Sequence, residues 1–554
     1  MSERKLIGKV SATEKYPSSC DDFQFWLSND AVLSPFDIVC VENSTDGSIT
    51  YGVVQDILHI TDGTSHISNY VSSDFGDVTR DSMTQRLALS YAKVSVIHNT
   101  KENFMPVFEG SPVYTADEHD IEIALGLDSI DKETAFPAGL MTTGNNISVP
   151  IMYNGDFLIG PEGAHMNVSG ISGLATKTSY IMFLLKAIQY KRQEDVAIIV
   201  LNVKGDDLLH IHQPNGRITE AQRGEWAALG IPCTPFENVQ YLYPYRRQSE
   251  KQHANTALSA EDVEEQFREK RASNFIYTFD HDISKVEMLF SNVDDPNWTI
   301  ESILNYIDTS SDFAGDMDWG EFKDKLKEYV NKGKTSKEIP VQSWRRFSRL
   351  IRNSISDDIF VNARSSSDSQ HQVYLSDVIK SINGGQMLVV DIAGLTEQLQ
   401  CLVFGDIIRS VYELKHGDFE LDERSSSKPI PKKIIIFVDE LNKYAPSTSG
   451  KNSPLLANLL DITERGRSEG VVLFSAEQFR SAIHDRIKGN CGTNVYGRTN
   501  AIEVSRPDYK FVPTVYANMM TRLKKGDLII HHPVFKTLLK VHFPFPSYNQ
   551  GGSK

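Results

Sequence analysis

The stretch GISGLATKTS, residues 170–179, carries the residue types that hold a chain of phosphates: small residues that let backbone N–H groups converge, then Lys177 and Thr178 in that order. In such a loop the lysine reaches the terminal phosphates and the neighbouring hydroxyl holds Mg²⁺. An apolar run, YIMFLLKAIQYKR, follows at once, and a strand-like run ends at Val168 just before. The order is strand, loop, helix, which sets the anion at a helix N-terminus where the dipole favours it. The spacing departs from G-x-x-x-x-G-K-[ST], because counting back from Lys177 puts Ile171 and Thr176 where glycines belong. Gly170, Gly173 and Ala175 sit one position early, so the loop reads as one residue longer, with alanine for its last glycine. The candidate nucleotide ligands are Gly170, Ser172, Gly173, Ala175, Thr176, Lys177, Thr178 and Ser179. Taken alone, a Gly/Ser/Thr-rich stretch before a helix is equally a capped helix start.

Context decides between the two. Phosphoryl chemistry needs a carboxylate at a neighbouring strand end to hold the metal, and commonly a second to orient water. KKIIIFVDELNKYAP supplies both: Ile434 to Val438 read as a buried strand, with Asp439 and Glu440 at its C-terminal edge, where open α/β sheets place their ligands. Thr178 and Asp439 are thus the expected Mg²⁺ ligands and Glu440 the expected base. Farther on, ERGRSEGVVLFSAEQ puts Arg465 and Arg467 in a polar turn and Gln478 just past the next strand. An arginine can neutralise charge developing on a transferred phosphoryl group, often from a neighbouring subunit, and a glutamine can sense phosphate or place water. A solvated basic helix end is the plainer reading of the arginines.

The elements that would position these groups change in character along the chain. Before residue 140 or so, short β-type runs alternate with turns (KLIGKVSA, DIVCVENSTDGSITYGVVQDIL, YAKVSVIH, PVYTADEHDIEIAL), with a hairpin expected at Asp46-Gly47 and a small barrel or sandwich as the outcome. After Pro150 the apolar strands DVAIIVLNV, QMLVVDIAG, KKIIIFVDE and VVLFSAEQ, separated by amphipathic helices, predict a parallel sheet covered on both faces. Between 245 and 375 the chain turns polar and helical, a helical insertion in that core. LDERSSSKPIPKK reads as a mobile loop and SYNQGGSK as a disordered end.

The chain has 554 residues, 40% hydrophobic, enough for several cores, and 57 Lys+Arg against 73 Asp+Glu give a net charge of -16. That excludes a simple DNA-coating module and confines any nucleic-acid contact to a local basic feature. Five scattered cysteines form no C-x-x-C pair, so neither a zinc site nor a disulfide framework is indicated. No apolar stretch is long enough to span a bilayer, and a cytoplasmic protein without membrane contact is expected. His210 with His212, His531 with His532, and His371 lack further ligands at metal spacing. Arg345, Arg346, Arg349 and Arg352, and Arg522, Lys524 and Lys525, read first as solvated faces.

On these motifs the chain resembles the HerA family of DNA translocases, relatives of FtsK. VVDIAGLTEQLQCLVFGDIIRSVYEL is similar to the strand, turn and long helix before the family's acidic box, FVDELNKYAP to the box itself, and ERGRSEGVVLFSAEQFRSAI to its arginine turn, strand and sensor glutamine. The resemblance implies an α/β, RecA-like P-loop core with an N-terminal β-barrel, a helical insertion and a C-terminal clasp. It divides the chain at 1–145 (barrel), 146–244 (core), 245–375 (insertion), 376–525 (core) and 526–554 (clasp and tail). It also implies ATP and Mg²⁺ as cofactors, Lys177 and Thr178 as Walker A, Asp439 and Glu440 as Walker B, Gln478 as sensor, and Arg467, with Arg465 in reserve, as the arginine finger. The expected assembly is a homo-hexamer acting on double-stranded DNA, with an effector such as a nuclease or a sirtuin-like NADase of an antiphage system. A nucleotide-stabilised scaffold that regulates such an effector without translocating DNA is the alternative.

Overall fold

The computed structural model describes residues 4–77, 79, 87–171, 176–293, 295, 298–313, 315, 317–331, 339–365, 367, 370–417, 429–448 and 453–551. The chain divides into two compact units, Met1–Asn154 with Arg498–His542, and Gly155–Gly497 with Phe543–Lys554.

The first unit opens with six strands, β1 (Leu6–Val10), β2 (Asp22–Leu27), β3 (Ile38–Glu42), β4 (Ile49–Thr61), β5 (Ala88–Asn99) and β6 (Pro112–Thr115), closed into an antiparallel barrel in the order β1-β2-β5-β4-β3-β6. Residues two apart share a face, so Phe23 and Phe25, Val39 and Val41, and Ala92 and Val94 all turn inward and fill it. The expected hairpin joins β3 to β4, with Gly47 at φ 65° where a side chain would be strained. EHDIEIAL, read from its pattern as β-type, is instead the helix Glu118–Leu125. Asp117 accepts from the Asp120 backbone N–H and Gly126 ends the helix at φ 74°, and these end signals outrank a short apolar alternation. Strands β7 (Phe136–Thr142) and β8 (Ser148–Tyr153) then pair antiparallel.

Among the described residues the second unit holds nine strands: β9 (Met166–Ser169), β10 (Val196–Asn202), β11 (Val239–Pro244), β12 (Ala272–Ile276), β13 (Gln372–Tyr374), β14 (Met387–Asp391), β15 (Lys433–Asp439), β16 (Val471–Glu477) and β17 (Thr493–Tyr496). All are parallel, in the order β13-β12-β11-β14-β10-β15-β16-β9-β17. Every residue of β10, β14 and β16 is buried, which is why these strands read as continuous apolar runs rather than alternations. The polar helical stretch is not purely helical, because β12 and β13 fall within it and extend the sheet. Its helices Thr299–Thr309, Trp319–Asn331 and Val341–Ser354 pack around Trp319, Phe322, Trp344 and Phe347. Arg345, Arg346, Arg349 and Arg352 lie on the exposed face of the last of them. No helix among the described residues is long and apolar enough to cross a membrane.

The chain returns to the first unit with β18 (Asp527–His531) and β19 (Leu539–His542), which continue an antiparallel order β18-β19-β7-β8. Gly139 lets β7 approach β19, since a Cβ there would stand 2.7 Å from the His542 carbonyl oxygen. Phe543–Gly551 then packs on the second unit, which corrects the expectation of disorder for Ser547–Gly551. Tyr548 is 3% exposed and bridges to Pro214, and its ring sits 5.6 Å from that of Phe236. Burying such a ring outweighs the polar, glycine-bearing composition that suggested a free end. Residues 552–554, and 421–428 of the stretch expected to be a mobile loop, lie outside the described residues.

Candidate phosphate site

Five neighbouring strands, β17-β9-β16-β15-β10, form the heart of the second unit. The loop after β9 and the acid-bearing end of β15 therefore open at the same C-terminal edge, separated only by β16. Register confirms it: Asp439 of β15 stands opposite Ala476 of β16, and Glu477 of β16 opposite Ser169 of β9. The helix Thr176–Lys191 starts there and is buried along most of its length by an apolar run that packs on the sheet.

At its first turn the Thr178 hydroxyl donates to Asp439 Oδ2 at 3.0 Å, and Lys177 Nζ donates to the Gly170 carbonyl oxygen at 2.8 Å. The two motif halves, 261 residues apart in sequence, thus meet. Lys177, Ser179 and Asp439 are all buried, and burial lowers the pKa of Lys177 against the opposing pull of Asp439. Gly170 is tied to the sheet by its N–H, which donates to the Glu477 carbonyl oxygen at 3.1 Å. Ser172, Gly173 and Ala175 lie outside the described residues.

Glu440 leaves β15 at φ 59°, a left-handed conformation that a non-glycine residue holds only when its surroundings impose it. The turn aims its carboxylate at two lysines, Lys443 at 2.5 Å and Lys204 at 3.3 Å. Burial disfavours its charge, but Lys443 and Lys204 outweigh that and hold its pKa below the ordinary value. Lys204, which follows β10, also stands 3.6 Å from Asp439. Lys204 and Lys443 are functional candidates that the motifs did not reveal. Scanning the end of every buried strand, rather than only the acidic one, would have found Lys204.

At the end of β16, Glu477 stands opposite Ser169, the last residue before the loop. Glu477 is fully buried, and burial pushes its pKa up to about 8 against the smaller opposing pulls of Arg480 and the Asn167 side chain. Gln478 lies one residue beyond, half-buried.

Arg465 and Arg467 sit at the other end of the same strand. A π-turn over Ile462–Gly466, a feature that recurs at functional sites, presents both to solvent. Arg467 Nη1 donates to the Glu162 carbonyl oxygen at 2.7 Å, and Arg465 pairs with Asp461 at 3.6 Å. Because β16 is seven residues long, roughly 20 Å of strand separates them from Glu477. The structure therefore does not bring them to Lys177 of their own chain.

The second unit is an α/β core built on a parallel sheet, and the first unit holds a closed antiparallel barrel. Among solved structures the chain is similar to the bacterial conjugative coupling protein TrwBdeltaN70 in an unbound form, at 13% identity over 70% of this chain and 87% of that one, with a TM-score of 0.40. It is also similar to the plasmid coupling protein TrwB in complex with the non-hydrolysable ATP analogue ADPNP, at 12% identity over 70% and 87%, TM-score 0.39. The genome packaging NTPase B204 from Sulfolobus turreted icosahedral virus 2, in complex with sulfate, is similar at 11% identity over 33% and 74%, TM-score 0.23. No family model and no curated protein matches the chain.

Proposed function

We propose that this chain is a ring-forming ATPase that binds ATP with Mg²⁺ between Lys177, Thr178, Asp439 and Glu440 and hydrolyses it to act on double-stranded DNA. The observation that carries the reading is the Thr178–Asp439 hydrogen bond, which joins a hydroxyl and a carboxylate from distant parts of the chain beside a buried lysine. Hard oxygen donors of this kind suit Mg²⁺, and the attraction of Lys204 to Asp439 supports a place for a cation there. When bound, the metal would neutralise charge on the phosphates. Lys177 would exchange its loop carbonyl for phosphate oxygens, and Glu440 would take a proton from water. An arginine of a neighbouring subunit, Arg467 or in reserve Arg465, would complete the site, with Gln478 as the expected sensor. The position of both arginines at the far end of β16 supports action between subunits in a homo-hexamer.

A second reading has its own support. Glu440 is clamped by Lys204 and Lys443, and the net charge of -16 disfavours broad DNA contact, as expected of a nucleotide-stabilised scaffold for an effector such as a nuclease or sirtuin-like NADase. Steady-state turnover tests the first reading: Lys177→Ala and Glu440→Gln should each lower kcat at least about 100-fold, and turnover unchanged by Glu440→Gln would sink it. Stimulation by DNA alone supports the motor, and stimulation only with an effector supports the scaffold.

A further inference from the structure

The segment Phe543–Gly551 crosses the second unit and ends against the first turn of the phosphate helix. It is held along its length: the Trp226 indole N–H donates to the Phe545 carbonyl oxygen at 2.9 Å, and the Asn215 side-chain amide to that of Pro546 at 2.8 Å. The Ser547 hydroxyl donates to the Thr234 carbonyl oxygen at 2.8 Å, and the Asn549 side chain to that of Gln213 at 3.0 Å. Beyond these anchors Gln550 Nε2 donates to Ser179 Oγ at 3.0 Å. Ser179 directly follows Thr178, and the buried Tyr548 phenol lies against both Ser179 and Gln550. Gly551 follows at φ 65°, and a Cβ there would stand 2.9 Å from the Asp206 carboxylate.

The polarity of the contact matters. A segment that plugged a phosphate site would offer acceptor oxygens to the N–H groups of a helix start, as phosphate does. Gln550 offers a donor instead. Gln550 gives one N–H to the Ser179 oxygen, and the Tyr548 phenol hydrogen-bonds with both Ser179 and Gln550, so the segment holds Ser179, next to the Thr178 hydroxyl, from two sides.

Resting on the phosphate-site reading, we propose that Gln550 is a nucleotide-positioning residue, and that the segment Ser547–Gly551 fixes Ser179 and completes the wall against which the nucleotide diphosphate seats.

Calorimetric titration of the full-length protein with ADP and Mg²⁺ tests this, alongside steady-state kinetics. Gln550→Ala should raise the Kd for ADP about fivefold, the worth of one net hydrogen bond, and should raise KM for ATP far more than it lowers kcat. Gln550→Glu should weaken binding further, at least about tenfold, by placing a carboxylate beside the phosphates. Gly551→Val, which leaves Gln550 in place but crowds Asp206, should behave like Gln550→Ala. Circular dichroism at the working temperature reports whether each variant is folded, and Gln550→Asn, which keeps the donor, should recover part of the loss. The proposal is overturned if Gln550→Ala binds ADP as well as or better than the unaltered protein, or if Gln550→Glu binds as Gln550→Ala does. Lys177→Ala separates the two levels: if it too leaves ADP binding unchanged, the phosphate-site reading falls, whereas loss of binding there with unchanged Gln550 variants removes only the role of the segment.

Discussion

Glu477 shows how strand order sets the chemistry of one side chain. The residue ends a central strand, fully buried, beside a buried lysine whose ammonium is turned to the Gly170 carbonyl. A carboxyl so desolvated keeps its proton in the folded chain up to about pH 8, whereas its ordinary value is 4.5. The fold therefore binds one more proton than the unfolded chain between those values, and stability falls as pH rises from 4.5 to about 8, then levels. Glu477→Gln, neutral throughout, removes that slope. Urea denaturation of the two proteins should give stabilities that diverge in favour of the glutamine variant across that window and stay a constant interval apart above it. Parallel curves would show that Glu477 is ionised in the fold. Lys177 with Thr178, and Asp439 with Glu440, were legible in the sequence because each pair is contiguous and its chemistry needs that order. Lys204, Glu477 and Gln550 were not, because each acquires its place from which strands or segments lie side by side, Gln550 from a contact spanning 371 residues.

At the level of elements, the apolar runs were read correctly wherever burial was complete. β10, β14, β15 and β16 admit almost no polar residue because helices cover both faces of a parallel sheet. Misreadings arose where short segments carried two patterns at once. In EHDIEIAL, alternation suggested a strand, yet Asp117 and Gly126 supply both ends of a helix. In the polar stretch, β12 has only five residues, too few for period to separate it from its helical surroundings. The helix reading of EHDIEIAL makes a prediction: Asp117→Ala should destabilise the first unit by about 1 kcal/mol in chemical denaturation, and Asp117→Asn or Asp117→Ser should restore most of it. No loss in the alanine variant would mean that the packing of Ile121, Ala124 and Leu125, all fully buried, holds the helix without its cap.

For the whole molecule, the arrangement of the two ends of β16 constrains how subunits can cooperate. On the proposed reading a single chain offers a phosphate site at one edge of the sheet and Arg465 and Arg467 at the other, so a site completed by either of these two must borrow it. Borrowing in one direction is a head-to-tail interface, and such interfaces close into rings when the rotation allows. The consequence can be tested without knowing the effector or the DNA. If the chain assembles as proposed, Lys177→Ala destroys a subunit's site but leaves its arginines, and Arg467→Ala does the reverse, so each homogeneous ring should be inactive. In rings formed by co-expressing the two in equal amounts, a site is complete only where an intact site meets an intact arginine, and about a quarter of the interfaces meet both conditions if placement is random. Turnover should therefore recover to about a quarter of the unaltered level if sites act independently. Repeating the mixture with Arg465→Ala identifies which arginine is lent. A mixture as inactive as its parents for both arginines would show that neither is lent across an interface, and the head-to-tail site would have to be abandoned.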